Sequence, residues 1–160
     1  MYDFKPNPLA SKTQLYEELA RAVEGLTAGE DDGVANMANV AALLWQFLPD
    51  VNWTGFYRTV GDTLVLGPFA GKPACLRIPF GQGVCGTAAA AKTTQLVPDV
   101  EAFPGHIACD GDTRSEVVVP VLRDGQVVAV IDCDSPLPSR FDEEDAAGLE
   151  QVAAILSERI

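Results

Sequence analysis

Positive charge is scarce in this sequence. Its 11 Lys and Arg residues stand against 23 Asp and Glu residues, which gives a net charge of −12 at pH 7. Polyanions bind through clustered Lys and Arg, so nucleic acids and anionic membranes are poor partners for this chain. Long apolar runs are also lacking, because no stretch approaches the roughly 18 apolar residues of a membrane span. Residues 1–8 have neither the basic start nor the apolar core of a signal peptide, so we expect a cytoplasmic protein.

Cysteine and histidine are few: the chain has four cysteines and one histidine. Four cysteines are too few for a secreted disulfide scaffold, and no Cys-x-x-Cys motif supports a thioredoxin-type site or a zinc ribbon. A scattered zinc site can be drawn from Cys75, Cys85, Cys109 and His106, but scattered thiols are usually not ligands, so we expect no bound metal. A static disulfide would not persist in a reducing cytosol. Any paired cysteines should therefore be catalytic or redox-active.

The order of hydrophobic patterns predicts an α+β fold. Residues 11–28, behind a Ser11 cap, and residues 34–48 have helical periodicity, and a last helix is expected over about 142–159. Residues 52–60 and 63–69 predict one β-hairpin, and residues 116–123 and 126–132 predict another around the turn Asp124-Gly125. We expect a central antiparallel sheet with the N- and C-terminal helices packed on one face and a loop-rich opposite face.

The middle of the chain is richest in loops. An irregular stretch carries Cys75, Arg77 and Ile78, a short helix is expected over residues 84–91, and a long loop is expected between residues 98 and 115. A chain of 160 residues fits one domain, so we expect a single domain over residues 1–160. Its helices would occupy about 11–48, its sheet and site about 52–134, and its last helix about 142–159.

The four cysteines fall into two groups. Cys75, Cys85 and Cys109 lie in loop-like or glycine-flanked segments, where thiols are candidates for redox chemistry. Cys133 instead lies in a predicted strand, where alternation places it with Ile131 on the face opposite its neighbouring aspartates. We expect Cys133 to be a small buried packing residue.

Three carboxylates are expected at one end of the second hairpin. Asp132 and Asp134 share a strand face, and Glu116 begins the partner strand at nearly the same distance from the turn. Simple solvation of the strand ends is one alternative. The functional alternative is a cluster in which each carboxylate raises the proton affinity of the others, so that one can donate a proton near neutral pH. Such a cluster would bind an ammonium group, and it suits a substrate such as a sulfoxide, whose oxygen needs a proton.

Five segments carry a family resemblance: GVCGTA at 83–88, GHIACD at 105–110, SEVVVPV at 115–121, IDCDSP at 131–136 and RFDEED at 140–145. With these motifs the chain resembles the free methionine-(R)-sulfoxide reductases, single-domain enzymes with the GAF fold. The similarity runs from about residue 52 to the C-terminus, and the two N-terminal helices are in keeping with it. The resemblance implies thiol-dependent reduction of free L-methionine (R)-S-oxide to L-methionine, a reaction linked to oxidative stress.

The resemblance also implies roles for individual residues. Cys109 is the nucleophile that becomes a sulfenic acid, Cys75 resolves it as a disulfide, and Cys85 has an auxiliary part. The substrate site is formed by the carboxylates of Glu116, Asp132 and Asp134 and by the aromatic rings of Trp53 and Tyr57. Spacing alone leaves open whether Cys75 or Cys85 pairs with Cys109, and core packing is the alternative for the two aromatic residues. Cys133 departs from the family pattern, which has an aliphatic residue there.

The implied partners are free methionine sulfoxide and thioredoxin, or another dithiol, as the external reductant, with no bound cofactor. The R preference comes from the resemblance alone, and the oligomeric state is left open, with a homodimer as one alternative. Two other functions remain as alternatives. A non-catalytic GAF module would bind a small ligand or sense redox state without turnover. A protein-repair methionine sulfoxide reductase would act on peptides, whose amide nitrogen carries no charge for the carboxylates to hold.

Overall fold

The structure is a computed structural model that describes residues 4–107 and 109–160. The first three residues of the segment compared with signal peptides, and Ala108 in the motif at 105–110, lie outside the described residues. The described elements are, in chain order, α1 (Lys12–Thr27), α2 (Gly33–Phe47), β1 (Trp53–Val60), β2 (Thr63–Gly71), β3 (Arg77–Pro79), α3 (Gly83–Ala91), β4 (Gln95–Val97), a short 3-10 helix (Val100–Ala102), β5 (Ser115–Arg123), β6 (Gln126–Ser135) and α4 (Glu143–Leu156).

The two predicted N-terminal helices are confirmed. The Ser11 hydroxyl accepts a hydrogen bond from the Gln14 backbone N–H, and the Gln14 side chain accepts one from the Ser11 backbone N–H, which closes a capping box on α1. The Asp32 carboxylate caps α2 by accepting hydrogen bonds from two backbone N–H groups of its first turn. Within residues 4–107 and 109–160, no helix is both long enough and apolar enough to cross a membrane.

The C-terminal helix α4 is joined to α1 through one buried carboxylate. Asp142 caps α4, and Asp145 accepts a hydrogen bond from the Asp142 backbone N–H. Asp145, whose side chain is 1% exposed, also accepts hydrogen bonds from the Tyr16 hydroxyl at 2.8 Å, Lys12 Nζ at 2.8 Å and Arg140 Nη1 at 3.2 Å. This set of contacts places the first and last helices side by side.

The six strands form one sheet in the order β3-β2-β1-β6-β5-β4, in which every neighbouring pair is antiparallel. Both predicted hairpins are confirmed. Asp124 and Gly125 have φ of 51° and 73°, as a tight hairpin turn requires. The prediction of an irregular stretch at Arg77 and Ile78 is wrong, because these residues belong to β3 and pair with β2. A three-residue strand is too short to show an alternating pattern.

A register shift in the β5–β6 hairpin decides which side chains share a face. Arg123 pairs with Gln126 beside the turn, and a regular ladder from there would pair Glu116 with Cys133. The shift between Val121 and Leu122 leaves Val128 as an extra residue on β6, so Glu116 instead pairs with Asp134. Directly opposed residues point to the same face of an antiparallel sheet. The bulge therefore places Glu116 among the aspartates rather than in the apolar core.

The two faces of the sheet are covered differently. Helices α1, α2 and α4 pack on one face over an apolar core that includes Phe56, Val117, Ile131 and Cys133. The short helix α3 and the loops cover the other face, which confirms the predicted architecture. Helix α3 lies so close to the edge strand β3 that a Cβ on Gly86 would collide with the Pro79 carbonyl oxygen. This close approach requires glycine at position 86.

Candidate active site

A narrow pocket lies on the loop-rich face of the sheet. Strands β1, β5 and β6 form its floor, and α3 and the loops before β3 and β5 form its walls. Seven of the eight residues predicted for the site line this pocket: Trp53, Tyr57, Cys85, Cys109, Glu116, Asp132 and Asp134. The eighth, Cys75, is bonded to Cys109.

Cys75 and Cys109 form a disulfide, with their Cα atoms 5.6 Å apart. Cys75 lies between β2 and β3, and Cys109 lies in the loop before β5, so the bond joins two loops across a sequence separation of 34 residues. Its two half-buried cysteines lie where the loops meet the pocket. Cys85 and Cys133 are free thiols. The disulfide removes two of the four donors of the zinc site drawn from the sequence.

Three carboxylates form the polar end of the pocket, of which Glu116 and Asp132 are buried and Asp134 is half-buried. Burial raises the pKa of Asp132 from its ordinary value of 3.8 to about 7. Burial and the neighbouring carboxylate of Asp132 raise the pKa values of Glu116 and Asp134 well above their ordinary range. The cause is the one expected for like charges held together away from water. The cluster therefore retains protons near neutral pH, and it would favour a cationic group placed among its oxygens.

Asp132 has one carboxylate oxygen in a hydrogen bond and one without. Its Oδ1 is buried and has no hydrogen-bond partner within the described parts of the chain. Its Oδ2 accepts a hydrogen bond from the Cys85 thiol at 3.3 Å. An unpaired buried carboxylate oxygen is costly, so such an atom in a pocket marks a place where a bound ligand can supply the missing donor.

Cys85 is held inside the protein by the first turn of α3. Its Sγ lies 3.3 Å from Asp132 Oδ2 and 4.0 Å from Glu116 Oε1. Burial, followed by the charges of these two carboxylates, raises the pKa of the Cys85 thiol well above its ordinary value. Cys85 is therefore protonated at neutral pH, and a protonated thiol is a poor nucleophile.

His106 lies beside the carboxylate of Glu116. Its Nε2 is 3.8 Å from Glu116 Oε2, and burial lowers the pKa of the imidazole. Metal-ligand atoms do come together here in a set that the sequence did not suggest. One atom each from Cys85, Glu116 and Asp132 lie within 4.8 Å of one another. The sequence does not reveal this set because its members come from three elements, α3, β5 and β6, that are distant along the chain.

The aromatic residues form an apolar wall of the pocket. The rings of Trp53 and Tyr57 stack with centroids 5.9 Å apart, as expected for residues four apart on one strand face. Phe69 on β2 continues the stack at 5.2 Å from Trp53. The Trp53 Nε1–H donates to the Lys72 carbonyl oxygen at 3.1 Å, which ties this wall to the loop carrying Cys75.

A second group of polar residues, which sequence reasoning missed, holds the Cys109 loop. Asp110 accepts hydrogen bonds from the Asp112 backbone N–H at 3.0 Å, Lys72 Nζ at 3.2 Å and Asn52 Nδ2 at 3.2 Å. These donors hold the pKa of Asp110 below its ordinary value, the Asp112 N–H most of all. Asn52 also donates to Thr113 Oγ1 at 3.1 Å. The only signal in the sequence is that Asp110 directly follows Cys109.

Comparisons with known proteins agree with this geometry. The family model for the GAF domain matches residues 30–160. The free methionine-R-sulfoxide reductase of Escherichia coli (strain K12) is 50% identical over 146 residues, which cover 91% of this chain and 88% of that protein. The chain belongs to the free methionine-R-sulfoxide reductase family.

Two further members of the free methionine-R-sulfoxide reductase family support this placement. The enzyme of that name from Saccharomyces cerevisiae is 46% identical over 155 residues, which cover 92% of this chain and 86% of that protein. A free methionine-R-sulfoxide reductase from Neisseria meningitidis, solved in complex with its substrate, is 45% identical. It superimposes with a TM-score of 0.94 over 99% of this chain and 95% of that one.

Proposed function

We propose that the chain reduces free methionine (R)-sulfoxide to methionine, with Cys109 as the nucleophile and Cys75 as the resolving thiol. The observation that carries the proposal is the Cys75–Cys109 disulfide beside a pocket that ends in three carboxylates, two of them buried. The reaction needs a pair of thiols that can be oxidised, and it needs carboxyl groups that can donate protons and bind the substrate ammonium group. The names of the family members from bacteria and yeast support the same substrate.

The reaction removes the oxygen atom from the substrate sulfur as water, and two thiols supply the two electrons that this reduction requires. Cys109 Sγ attacks the sulfoxide sulfur, a sulfur–sulfur bond forms, and the sulfoxide oxygen takes up two protons and leaves as water. Water then displaces methionine from Cys109, which releases a proton and leaves a sulfenic acid. The Cys75 thiol attacks this sulfenic acid, which forms the disulfide and releases water. An external dithiol reduces the disulfide and is itself oxidised.

The carboxylate cluster has two tasks in this scheme. Its ionised members hold the substrate ammonium group, and its protonated members supply the protons that the sulfoxide oxygen needs. A methionine within a peptide has an uncharged amide nitrogen, so it could not satisfy Asp132 Oδ1 in the same way. The stacked rings of Trp53 and Tyr57 offer an apolar surface for the side chain of the substrate.

Cys85 is assigned an auxiliary part. Its raised pKa makes it unsuitable as the attacking thiolate, and its hydrogen bond to Asp132 makes it a positioning residue for that carboxylate. We further propose thioredoxin as the dithiol and a cytoplasmic location, where such a reductant is available. A homodimer and a single GAF domain over residues 1–160 remain predictions.

The test is turnover on a racemic mixture of free methionine sulfoxide epimers, with dithiothreitol or thioredoxin as reductant. Methionine and each remaining epimer are quantified. We expect that only the R epimer disappears and that peptide-bound methionine sulfoxide does not react. Cys109→Ser should abolish the reaction, and Cys75→Ser should release one equivalent of methionine without thioredoxin-supported turnover. The matched control is Cys133→Val, which alters a buried cysteine on the other sheet face and should keep full activity.

Two results would contradict the proposal. Turnover by Cys109→Ser would remove the nucleophile from the scheme. If neither epimer were consumed by the fully reduced protein, the chain would function instead as a GAF module that binds a small ligand or senses redox state.

A further inference from the structure

The sulfur and oxygen atoms at the end of the pocket have the spacing of metal ligands. Cys85 Sγ lies 3.3 Å from Asp132 Oδ2 and 4.0 Å from Glu116 Oε1. In a tetrahedral zinc site, with Zn–S near 2.3 Å and Zn–O near 2.0 Å, sulfur and oxygen ligands are about 3.5 Å apart. The two observed distances lie on either side of that value, so an ion could contact all three side chains after small rotamer adjustments.

The surroundings of these atoms also favour a cation. Asp132 Oδ1 is buried, with no hydrogen-bond partner among residues 4–107 and 109–160. Lys72 is a basic residue that lines the pocket, and its ammonium group forms salt bridges with Asp110 and Asp112. The nearby carboxylate of Asp134 adds further negative potential. A buried thiol beside carboxylates that lack a cationic partner can bind a divalent ion by releasing protons to it.

The remaining oxygen of Glu116 faces a neighbouring histidine. Glu116 Oε2 lies 3.8 Å from His106 Nε2, whereas Oε1 faces Cys85. The separation between Oε2 and Nε2 is longer than a hydrogen bond, so the imidazole would have to approach Glu116 to support it as a metal ligand. One coordination position would remain open toward the pocket, where water could complete a tetrahedron.

We propose that Cys85, Glu116 and Asp132 form a binding site for Zn²⁺. Binding releases the proton of the Cys85 thiol, together with any proton carried by the two carboxylates, and forms one Zn–S and two Zn–O bonds. The ion is exchangeable and inhibitory, distinct from a resident cofactor, because it occupies the place of the substrate ammonium group. The competition with substrate rests on the proposed function, whereas the binding itself does not.

The site does not use the redox pair, and the experiment exploits this. In the oxidised protein Cys75 and Cys109 are blocked as a disulfide, so Cys85 and Cys133 are the remaining thiols. Co²⁺ is titrated into this form without any added thiol, and thiolate coordination is detected as a near-ultraviolet sulfur-to-cobalt charge-transfer band. Zn²⁺ is then added to displace Co²⁺, and its stoichiometry is measured by calorimetry.

We expect one equivalent of either ion and a charge-transfer band in the wild type and in the control variant Cys133→Val. Cys85→Ala should lose the band and bind more than about 100-fold more weakly, because even outer partners of a metal site contribute about 10- to 100-fold to affinity. His106→Gln should weaken binding by no more than about 10-fold, because His106 Nε2 lies 3.8 Å from Glu116, beyond hydrogen-bond distance. Free methionine sulfoxide in excess should raise the apparent dissociation constant for Zn²⁺.

Absence of a stoichiometric charge-transfer band in the wild type would overturn the site, and this result does not depend on whether any variant folds. Binding of equal strength in Cys85→Ala would also overturn it, because the ion would then lie elsewhere. Cys85-dependent binding in a protein that fails to reduce methionine sulfoxide would contradict the proposed function and leave the metal site standing. Normal turnover of methionine sulfoxide without metal binding would overturn the metal site and leave the proposed function standing.

Discussion

Asp145 and Asp132 are both buried aspartates, but their surroundings differ in kind. Asp145 accepts hydrogen bonds from Tyr16, Lys12 and Arg140 and from a backbone N–H, so the fold itself satisfies it. Asp132 has only the Cys85 thiol, and its Oδ1 has no partner within the described residues. Asp145 therefore holds two helices together, whereas Asp132 keeps an oxygen available to a ligand.

The largest expected effect lies at Asp132. Asp132→Asn keeps the shape of the side chain but removes both the acid and the charge. We expect kcat/KM for free methionine sulfoxide to fall by about 10²- to 10⁴-fold, the usual contribution of a positioned proton donor. The free energy of unfolding at pH 7 should not fall, because the native state no longer buries this carboxylate. Steady-state kinetics and urea denaturation measure the two quantities, and wild-type kcat/KM in this variant would refute the role of Asp132.

Asp145→Asn should show the opposite pattern. Removing this charge leaves Arg140 in a largely buried position without its carboxylate, and breaking such a pair costs about 3–5 kcal/mol. We expect that loss in the free energy of unfolding, while the folded enzyme keeps its kcat/KM. Asp142→Asn is the matched control, since Asn also caps helices and the exposed Lys12–Asp142 pair contributes less than about 1 kcal/mol. Equal losses in the two variants would contradict the distinction between the buried and the exposed carboxylate.

The smallest of the three effects is a pH dependence. Burial raises the pKa of Asp132 from 3.8 to about 7, so the folded chain retains a proton that the unfolded chain releases. This stabilisation is fully present below pH 3.8 and is lost as pH rises to about 7. The free energy of unfolding of Asp132→Asn, relative to that of the wild type, should therefore increase as the pH rises from 3.8 to about 7. We expect a gain of about 1–2 kcal/mol, because Glu116 and Asp134 share the proton binding.

Urea denaturation at a series of pH values measures this difference. Asp31→Asn, at an exposed carboxyl, is the control and should run parallel to the wild type. A constant difference between Asp132→Asn and the wild type from pH 4 to 7 would show that the Asp132 carboxyl does not carry the proton.

Local signals in the sequence predicted much of the fold and part of the site. The Ser11 cap, the Asp124-Gly125 turn and strand alternation around Cys133 each depend on neighbouring residues, and each is confirmed. The meeting of Glu116 with the aspartates was predicted too, but from distances to the turn that ignored the bulge. A regular ladder would have placed Glu116 opposite Cys133, and nothing local in the sequence reveals the extra residue at Val128.

Contacts between distant segments could not be predicted in the same way. The choice of Cys75 as the partner of Cys109 came from the family resemblance, since spacing left Cys85 as an alternative. The hydrogen bonds from Asn52 and Lys72 to Asp110 join segments that meet only in the folded chain. The contact between His106 and Glu116 is of the same kind, and the sequence suggested a different set of partners for this histidine.

The disulfide between two loops also has a thermodynamic consequence. It closes a segment of 34 residues, and a cross-link of that length lowers the entropy of the unfolded chain by an amount equivalent to about 4 kcal/mol at 25 °C. That is a large share of the total stability of a domain this size. If the chain cycles as proposed, it should therefore be most resistant to unfolding in the oxidised form that ends each turnover and least resistant in the reduced form that begins the next. We then expect its exposure to proteases to vary with the supply of reducing equivalents.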